Sequence, residues 1–352
     1  MLLEGIFSAI TTPFYPDGRL YFRKLEHNVL RYSRTPLSGM VVLGSTGEAV
    51  MLGDEETREV LRVARETAAA DKVLLAGIAR DSVSETLRLA EFAAEKNYDA
   101  VLVRTPSYYA PQMQPREILT YYRAVADRSA LPVVLYSIPK FTHYDLPVEI
   151  IAELAQHPNI IGLKDSSGNV ARLAQIIEAT ASGVKRTVTV TTTFTAVTAR
   201  MLAEKHASAA NFIPADILGT DAAAVAVAPP QPALKTRTRE VGFQVLSGSA
   251  EKLSQSLAAG CSGAVLAFAA CAPQACQEIF TAWKENDPKL AGEKQERIIA
   301  AAAFVAGKLG VPGLKYACDL NGYYGGRPRL PLLPLTAAEQ AEVALAMADI
   351  RN

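Results

Sequence analysis

Eight short apolar runs, rich in β-branched residues, constrain the fold of this 352-residue chain more than any other feature. Each run is almost continuously apolar rather than alternating, which is typical of parallel strands buried on both faces. Helical patterns lie between most of them, at 54–70, 82–96, 115–129 and 147–157. A strand followed by a helix eight times predicts a (β/α)₈ (TIM) barrel. The predicted strands are 5–13, 39–44, 72–78, 99–105, 132–138, 160–166, 243–248 and 263–270.

Two stretches fall outside this repeat. An insertion at about 186–240, between the sixth helix and the seventh strand, combines a Thr/Val run, a short helical pattern and a Pro/Ala-rich tract typical of an exposed linker. Because it joins a helix to a strand, we expect it on the N-terminal face of the barrel. The remainder, 273–352, predicts a C-terminal helical extension packed on a barrel domain of residues 1–272.

Composition excludes several classes of protein. Lys plus Arg equals Asp plus Glu at 36 each, and no basic run or zinc-finger spacing occurs, which argues against a nucleic-acid partner. No apolar run approaches the roughly 20 residues that span a bilayer, and the N-terminus lacks a cationic signal region, so we expect a cytoplasmic protein. The cysteines form no C-x-x-C pair, which predicts reduced, mostly buried thiols without a metal or redox role. They are Cys261, Cys271, Cys276 and Cys318.

The candidate chemistry lies where the strands end, because the active site of such a barrel is built at the C-terminal ends of its strands. Lys164 ends the apolar run IIGL. A lysine desolvated in a barrel mouth is available as a neutral amine nucleophile. Two simpler interpretations remain open: a solvated lysine just beyond a strand, or one paired with the neighbouring Asp165.

Three further strand ends carry polar groups. Tyr136 ends the fifth strand, where its phenol could move a proton. Ser45 and Thr46 lie in a Gly-bracketed turn after the second strand, which could hold a carboxylate. Tyr108 follows the fourth strand. Taken singly, each tyrosine is more commonly a packing or interface residue, and a Gly-bracketed turn is more commonly a plain turn with a helix N-cap.

Four motifs in this order resemble the dihydrodipicolinate synthase / N-acetylneuraminate lyase family of class I pyruvate aldolases: GSTGE (44–48), TPSYY (105–109), YSIP (136–139) and GLKDSSG (162–168). The resemblance runs from about residue 5 to residue 334, apart from the insertion. It implies a TIM barrel that needs neither a metal nor an organic cofactor. It also implies a homotetramer, built as a dimer of dimers, that acts on small molecules.

The resemblance also implies residue roles. Lys164 would form a Schiff base with pyruvate, and Tyr136 would be the proton-transfer residue. Ser45 and Thr46 would hold the pyruvate carboxylate. Tyr108 would reach into the site of a neighbouring subunit.

One departure bears on the substrate. Where dihydrodipicolinate synthases carry an arginine for aspartate semialdehyde, this chain has Phe141, and Lys140 would point to the opposite side if the backbone were extended. The sequence is more similar to the branch of 4-hydroxy-2-oxoglutarate and 2-keto-3-deoxy-sugar-acid aldolases. In that branch Ser166 lines the distal part of the site, and Gly248 matches the family glycine after the seventh strand.

Three functions follow as hypotheses. The first is a pyruvate-dependent aldolase that cleaves or forms a 4-hydroxy-2-oxo acid. The second is 4-hydroxy-tetrahydrodipicolinate (dihydrodipicolinate) synthase, which condenses pyruvate with aspartate semialdehyde. The third is a non-catalytic 2-oxo-acid-binding protein of the same fold.

Overall fold

Eight parallel strands close into a barrel in the computed structural model, which describes residues 1–203 and 234–350. Every predicted strand is present, so the predicted TIM barrel is confirmed. The eight strands follow one another around the barrel in chain order, and the last pairs back to the first; two further strands, β7 (Arg186–Thr191) and β8 (Thr236–Val241), form a separate sheet described below. The strands are β1 (Gly5–Ala9), β2 (Gly39–Val42), β3 (Val73–Gly77), β4 (Ala100–Arg104), β5 (Val133–Ser137), β6 (Ile160–Asp165), β9 (Gln244–Ser247) and β10 (Gly263–Leu266).

Helices surround this barrel, and the predicted ones begin and end within three residues of the expected positions. Their first turns explain where they begin: the Ser82 hydroxyl, for example, accepts a hydrogen bond from Glu85 N at 3.2 Å and caps α3. The helices are α1 (Phe22–Ser33), α2 (Asp54–Thr67), α3 (Val83–Glu95), α4 (Pro115–Arg128), α5 (Pro139–Thr142), α6 (Val148–Leu154), α7 (Val170–Ala179), α8 (Leu253–Ala258), α9 (Pro273–Lys284), α10 (Pro288–Ala302), α11 (Gly310–Leu320) and α12 (Ala337–Ala346), with a π-helical segment at Ala303–Lys308.

Alternation along each strand divides the apolar core into two parts. In β4, Val101 and Val103 pack outward against the helices, whereas Ala100 and Leu102 belong to the barrel interior. This two-residue period places the next inward position, Arg104, at the mouth of the barrel. The C-terminal ends of the strands therefore present an inward layer of side chains to any substrate.

The described parts of the insertion form a separate antiparallel pair, β7 (Arg186–Thr191) and β8 (Thr236–Val241). Arg200 donates hydrogen bonds to the Lys72 carbonyl and, at 3.2 Å, to the Asp99 carboxylate. Lys72 and Asp99 directly precede β3 and β4. These parts consequently lie on the N-terminal face, away from the strand ends described below. Most of the Pro/Ala-rich tract lies outside the described residues.

The C-terminal segment begins with α9, which packs against β1 and occupies the place of the eighth barrel helix. A division of the chain at residue 272 stays a prediction. All four cysteines are free and buried, and burial raises the pKa of the Cys276 and Cys318 thiols to about 12. In the part of the chain that the structure describes, no helix is long and apolar enough to cross a membrane.

Candidate active site

Lys164 lies in the inward layer at the end of β6, next to Tyr136 of β5. The two residues are register partners in adjacent parallel strands, so their side chains leave the sheet on the same face. Lys164 is only 5% exposed, and its Nζ lies 4.1 Å from the centroid of the Tyr136 ring. Within residues 1–203 and 234–350, Nζ forms no ion pair with any carboxylate. The amine is therefore buried against an aromatic face.

Asp165 does not pair with this lysine. Its carboxylate accepts a hydrogen bond from Arg172 Nε at 3.0 Å and another from Ser167 N at 2.9 Å, and it is completely buried. Consecutive strand residues face opposite sides of a sheet, which places Asp165 behind the barrel wall. Both simpler interpretations of Lys164, a solvated lysine and one paired with Asp165, are wrong.

The turn after β2 brings the Ser45 hydroxyl to the same mouth, and the buried Thr46 is the next residue of this turn. Ser45–Gly47 is a short 3₁₀ helix, and Ser45 Oγ lies 3.4 Å from the Tyr136 hydroxyl. Gly47 N and Glu48 N close the turn, whereas the N–H groups of Ser45 and Thr46 donate to no acceptor among the described residues. First-turn N–H groups of a helix lack partners within it and suit an anion. The turn can accommodate a carboxylate.

Two residues with strained backbone conformations flank this turn. Leu43 and Glu48 both adopt left-handed conformations, with φ of 63° and 54°. Such positions cost on the order of 1–3 kcal/mol each and persist only where the surroundings enforce them. Gly77 provides part of that enclosure, because a Cβ there would lie 2.1 Å from the Leu43 carbonyl oxygen.

Ser166 and Gly248 meet where β6 and β9 end. Gly248 N donates to the Asp165 carbonyl at 2.7 Å, and a Cβ on Gly248 would lie 2.1 Å from Ser166 Oγ. Glycine is thus needed at position 248 for the close approach of the two loops. The structure places both residues beside the strand that carries Lys164.

A cavity of about 480 Å³, here called the mouth cavity, opens in front of Tyr136. Tyr136 lines it, whereas Lys164 and Thr46 do not. Its lining includes Ser45, Glu48, Arg80, Arg104, Tyr136 and Phe141.

The expected orientation of Lys140 is wrong. Residues Pro139–Thr142 form a helical turn begun by a proline rather than an extended segment, and Lys140 and Phe141 both line the mouth cavity. Lys140 Nζ donates to the Gly307 carbonyl at 2.9 Å. The Lys140 ammonium therefore lies beside the Phe141 ring at this wall of the cavity.

Tyr108 lies apart from these groups within a single chain. It is 80% exposed, and its ring packs edge-to-face on Tyr109 with centroids 5.1 Å apart. The loop that carries it is held by Asp81, which accepts a hydrogen bond from Tyr108 N at 3.0 Å.

Two arginines of the cavity, Arg80 and Arg104, did not emerge from the sequence as candidates. Arg104 is the last residue of β4 and lies two positions after the inward-facing Leu102, but the apolar run of this strand does not reveal from the sequence which of its residues face inward. Among the described residues there is no cluster of three or more potential metal ligands.

The family model described as "Dihydrodipicolinate synthetase family" matches residues 2–204 and 231–350. The chain belongs to this family. It is accordingly an enzyme of the lyase class, which excludes the non-catalytic hypothesis. The unmatched stretch, 205–230, lies within the predicted insertion and outside the described residues.

Relatives in the family carry two kinds of name. A 4-hydroxy-tetrahydrodipicolinate synthase from Methanothrix thermoacetophila is 28% identical over 97% of this chain and 95% of its own length. An L-threo-3-deoxy-hexylosonate aldolase from Hypocrea jecorina is also 28% identical, over 99% of this chain and 95% of its own length. Family membership thus leaves the substrate to be argued from the site.

Solved structures agree with the fold. A dihydrodipicolinate synthase from Bacillus anthracis superposes with a TM-score of 0.78 at 22% identity and covers 99% of both chains. A prophage protein of the same family from E. coli K12, solved in complex with pyruvate, gives a TM-score of 0.77 at 24% identity and 99% coverage of both chains.

Proposed function

We propose that this enzyme is a pyruvate-dependent class I aldolase that cleaves or forms a short 4-hydroxy-2-oxo acid through a Schiff base on Lys164. The observation that carries the proposal is the burial of the Lys164 amine against the Tyr136 ring, while the adjacent carboxylate of Asp165 is held by Arg172. A buried amine with no carboxylate partner is a suitable nucleophile for a carbonyl carbon.

Schiff-base formation uses the mouth of the barrel. The neutral amine of Lys164 attacks C2 of the 2-oxo acid, and the carbonyl oxygen leaves as water after two proton transfers. Tyr136 supplies a proton to that oxygen, with the Ser45 hydroxyl 3.4 Å away as its relay. Ser45 and Thr46 hold the C1 carboxylate and so orient C2 toward Nζ.

Cleavage then follows from the positive charge of the iminium. Tyr136, which has given up its proton during Schiff-base formation, accepts the proton of the C4 hydroxyl. The C3–C4 bond breaks, and its electron pair moves into an enamine as the aldehyde departs. Tyr136 returns the proton to C3, and hydrolysis of the iminium by water releases pyruvate and frees Lys164. Ser166 and Gly248, beside β6, would border the part of the substrate beyond C3.

A paired assay tests this proposal. Purified enzyme is expected to release pyruvate from 4-hydroxy-2-oxoglutarate, measured with lactate dehydrogenase, faster than it consumes pyruvate with aspartate semialdehyde. Absence of pyruvate release from this substrate and from a panel of 2-oxo-3-deoxy acids would refute the aldolase assignment.

Dihydrodipicolinate synthase is the second candidate. It is supported by the names of several relatives and by Lys140, which gives the cavity wall a cation next to the position where the synthases carry arginine. Phe141 opposes it, because a phenyl ring cannot form the bidentate contact of a guanidinium with a carboxylate.

A homotetramer is part of the proposal. The exposed Tyr108–Tyr109 pair supports it, since two adjacent exposed aromatic side chains are typical of an interface. Tyr108 would then complete the site of a neighbouring subunit. Light scattering that finds a fully active monomer at micromolar concentration would contradict this assembly.

A further inference from the structure

Arg104 shares the inward layer of the barrel mouth with the proposed catalytic pair. In the register of the parallel strands it lies beside Tyr136, which in turn lies beside Lys164. Neighbouring strands are about 4.8 Å apart, so the backbones of Arg104 and Lys164 are separated by roughly 9–10 Å across the mouth. Arg104 and Lys164 therefore flank Tyr136 in one layer of the barrel mouth.

The guanidinium of Arg104 is held at one nitrogen only. Nη1 donates to Asp81 Oδ1 at 3.2 Å, to the Thr105 carbonyl at 2.9 Å and to Ser107 Oγ at 3.2 Å. Nε and Nη2 donate to no acceptor in the described ranges, and the residue lines the mouth cavity. These two nitrogens form the edge of a guanidinium that binds a carboxylate in a bidentate manner.

The charge of the cavity also favours an anion. Arg80, Arg104 and Lys140 line it, and Glu48 is the acidic residue among its described lining residues. Glu48 already pairs with Lys315 at 2.6 Å. Asp81, which holds Arg104, is not in the lining and also accepts from the backbone N–H groups of the 105–109 loop. Arg80 pairs with Asp54 at 3.7 Å, so the positive charge that faces the cavity comes from Lys140 and from the free edge of Arg104.

We propose that Arg104 binds a distal carboxylate of the substrate, so that this aldolase acts on dicarboxylic 4-hydroxy-2-oxo acids in preference to monocarboxylic ones. The inference rests on the proposed function, because it takes C2 to be held at Lys164. A carboxylate three or four bonds beyond C2 reaches the free edge of Arg104, while Ser45 and Thr46 hold the C1 carboxylate. Arg104 is then a specificity residue for the outer end of the substrate.

The experiment compares two substrates that differ only at this end. 4-Hydroxy-2-oxoglutarate carries the distal carboxylate, and 4-hydroxy-2-oxopentanoate carries a methyl group in its place. We expect wild type to prefer the dicarboxylate in kcat/KM by roughly tenfold to 150-fold, the usual range for a charge-assisted contact. Arg104→Met should remove most of that preference by lowering kcat/KM for the dicarboxylate alone, and Arg104→Lys should retain part of it.

Controls separate this inference from the proposed function. Arg116→Met removes an arginine whose side chain is 91% exposed on α4, outside the cavity, and should preserve the preference. Pyruvate lacks a distal group, so its borohydride trapping should be equal in wild type and Arg104→Met. If trapping fails in wild type, the proposed function fails.

If trapping succeeds but Arg104→Met slows both substrates equally, or wild type shows no preference, the role of Arg104 is refuted. A wild type that prefers a 2-oxo-3-deoxy-6-phospho sugar acid to the dicarboxylate by tenfold or more would replace the carboxylate with a phosphate and overturn the proposed class.

Discussion

Glu48 and Lys315, 267 positions apart in the chain, form a completely buried ion pair with 2.6 Å between Oε1 and Nζ. Glu48 closes the turn that carries Ser45 and Thr46, and its second oxygen accepts from Arg329 N at 2.7 Å. Burial lowers the pKa of the Lys315 ammonium, and the Glu48 carboxylate opposes that effect. The pair joins the proposed carboxylate-binding turn to the C-terminal segment.

Removing one charge of this pair should destabilise the protein strongly. Glu48→Gln and Lys315→Met each leave a buried charge without its counter-charge, and each should lower the free energy of unfolding by about 3–5 kcal/mol. The double variant should recover much of the loss, because it buries no unpaired charge. Urea unfolding of the four proteins measures the coupling. If the free energy of unfolding of each single variant lies within about 0.5 kcal/mol of wild type, the stabilising role of the pair is contradicted.

Tyr136→Phe removes the phenol and leaves the ring on which Lys164 packs. Turnover should fall by roughly 10²–10⁴, the usual contribution of a positioned acid–base group, with an unchanged unfolding midpoint. Tyr15→Phe is the matched control, since Tyr15 stacks on Tyr21 outside the mouth cavity. Steady-state assays that find more than half of wild-type turnover in Tyr136→Phe would refute the role of the phenol.

The ion pair between Glu56 and Arg329 is a second connection to the C-terminal segment, and acid should weaken it. Hydrogen bonds from Arg329 lower the pKa of Glu56 below its ordinary value of 4.5. The unfolded chain then binds the proton more readily, so this carboxylate stabilises the fold above pH 4.5 and loses that effect as the pH falls through its folded pKa.

The difference in urea midpoint between wild type and Glu56→Gln should be largest at pH 7 and should shrink below pH 4.5. Glu55 lies in the same helical turn and has no ion-pair partner among the described residues. The difference in urea midpoint between wild type and Glu55→Gln should therefore be smaller and should change less with pH. A difference in urea midpoint between wild type and Glu56→Gln that stays constant from pH 7 to pH 3 would contradict this prediction.

Sequence reasoning predicted the barrel because its strands are buried on both faces and therefore read as unbroken apolar runs. The same reasoning placed Lys164, Tyr136 and Ser45 at one mouth, since each follows or ends such a run. An unbroken apolar run does not reveal which residues face inward, and this is why Arg104 was missed.

Other features depend on contacts between distant parts of the chain. The pairing of Glu48 with Lys315 has no local signature. The Thr/Val alternation of β7 indicates a strand, but its partner β8 begins 45 residues later, beyond the stretch that the structure leaves undescribed. Lys140 was misplaced because Pro139 begins a helical turn where an extended segment was assumed.

Phe141 separates the two candidate substrates. It is 56% exposed at the outer wall of the mouth cavity, where it cannot hold the carboxylate of aspartate semialdehyde. Loss of a bidentate contact corresponds to about 1.5–3 kcal/mol, or roughly tenfold to 150-fold in specificity. Phe141→Arg should therefore raise kcat/KM for condensation with aspartate semialdehyde relative to cleavage of 4-hydroxy-2-oxoglutarate.

The measurement is the ratio of these two specificity constants in wild type and in Phe141→Arg, with Phe141→Leu as the apolar control. This ratio distinguishes the aldolase from the synthase. A wild type that already prefers aspartate semialdehyde would show that another group, such as Lys140, holds that carboxylate.

Covalent trapping tests the central claim most directly, because two of the buried lysines that the structure describes, Lys164 and Lys315, lie near the mouth. Lys164 lies against Tyr136 and pairs with no carboxylate in the described ranges, whereas Lys315 is bound by Glu48. The enzyme is incubated with pyruvate and borohydride, digested, and mapped by mass spectrometry. The account predicts a reduced pyruvate adduct on Lys164 that disappears in Lys164→Ala, together with activity lost by several orders of magnitude. An adduct on Lys315, or no adduct on any lysine, would contradict it.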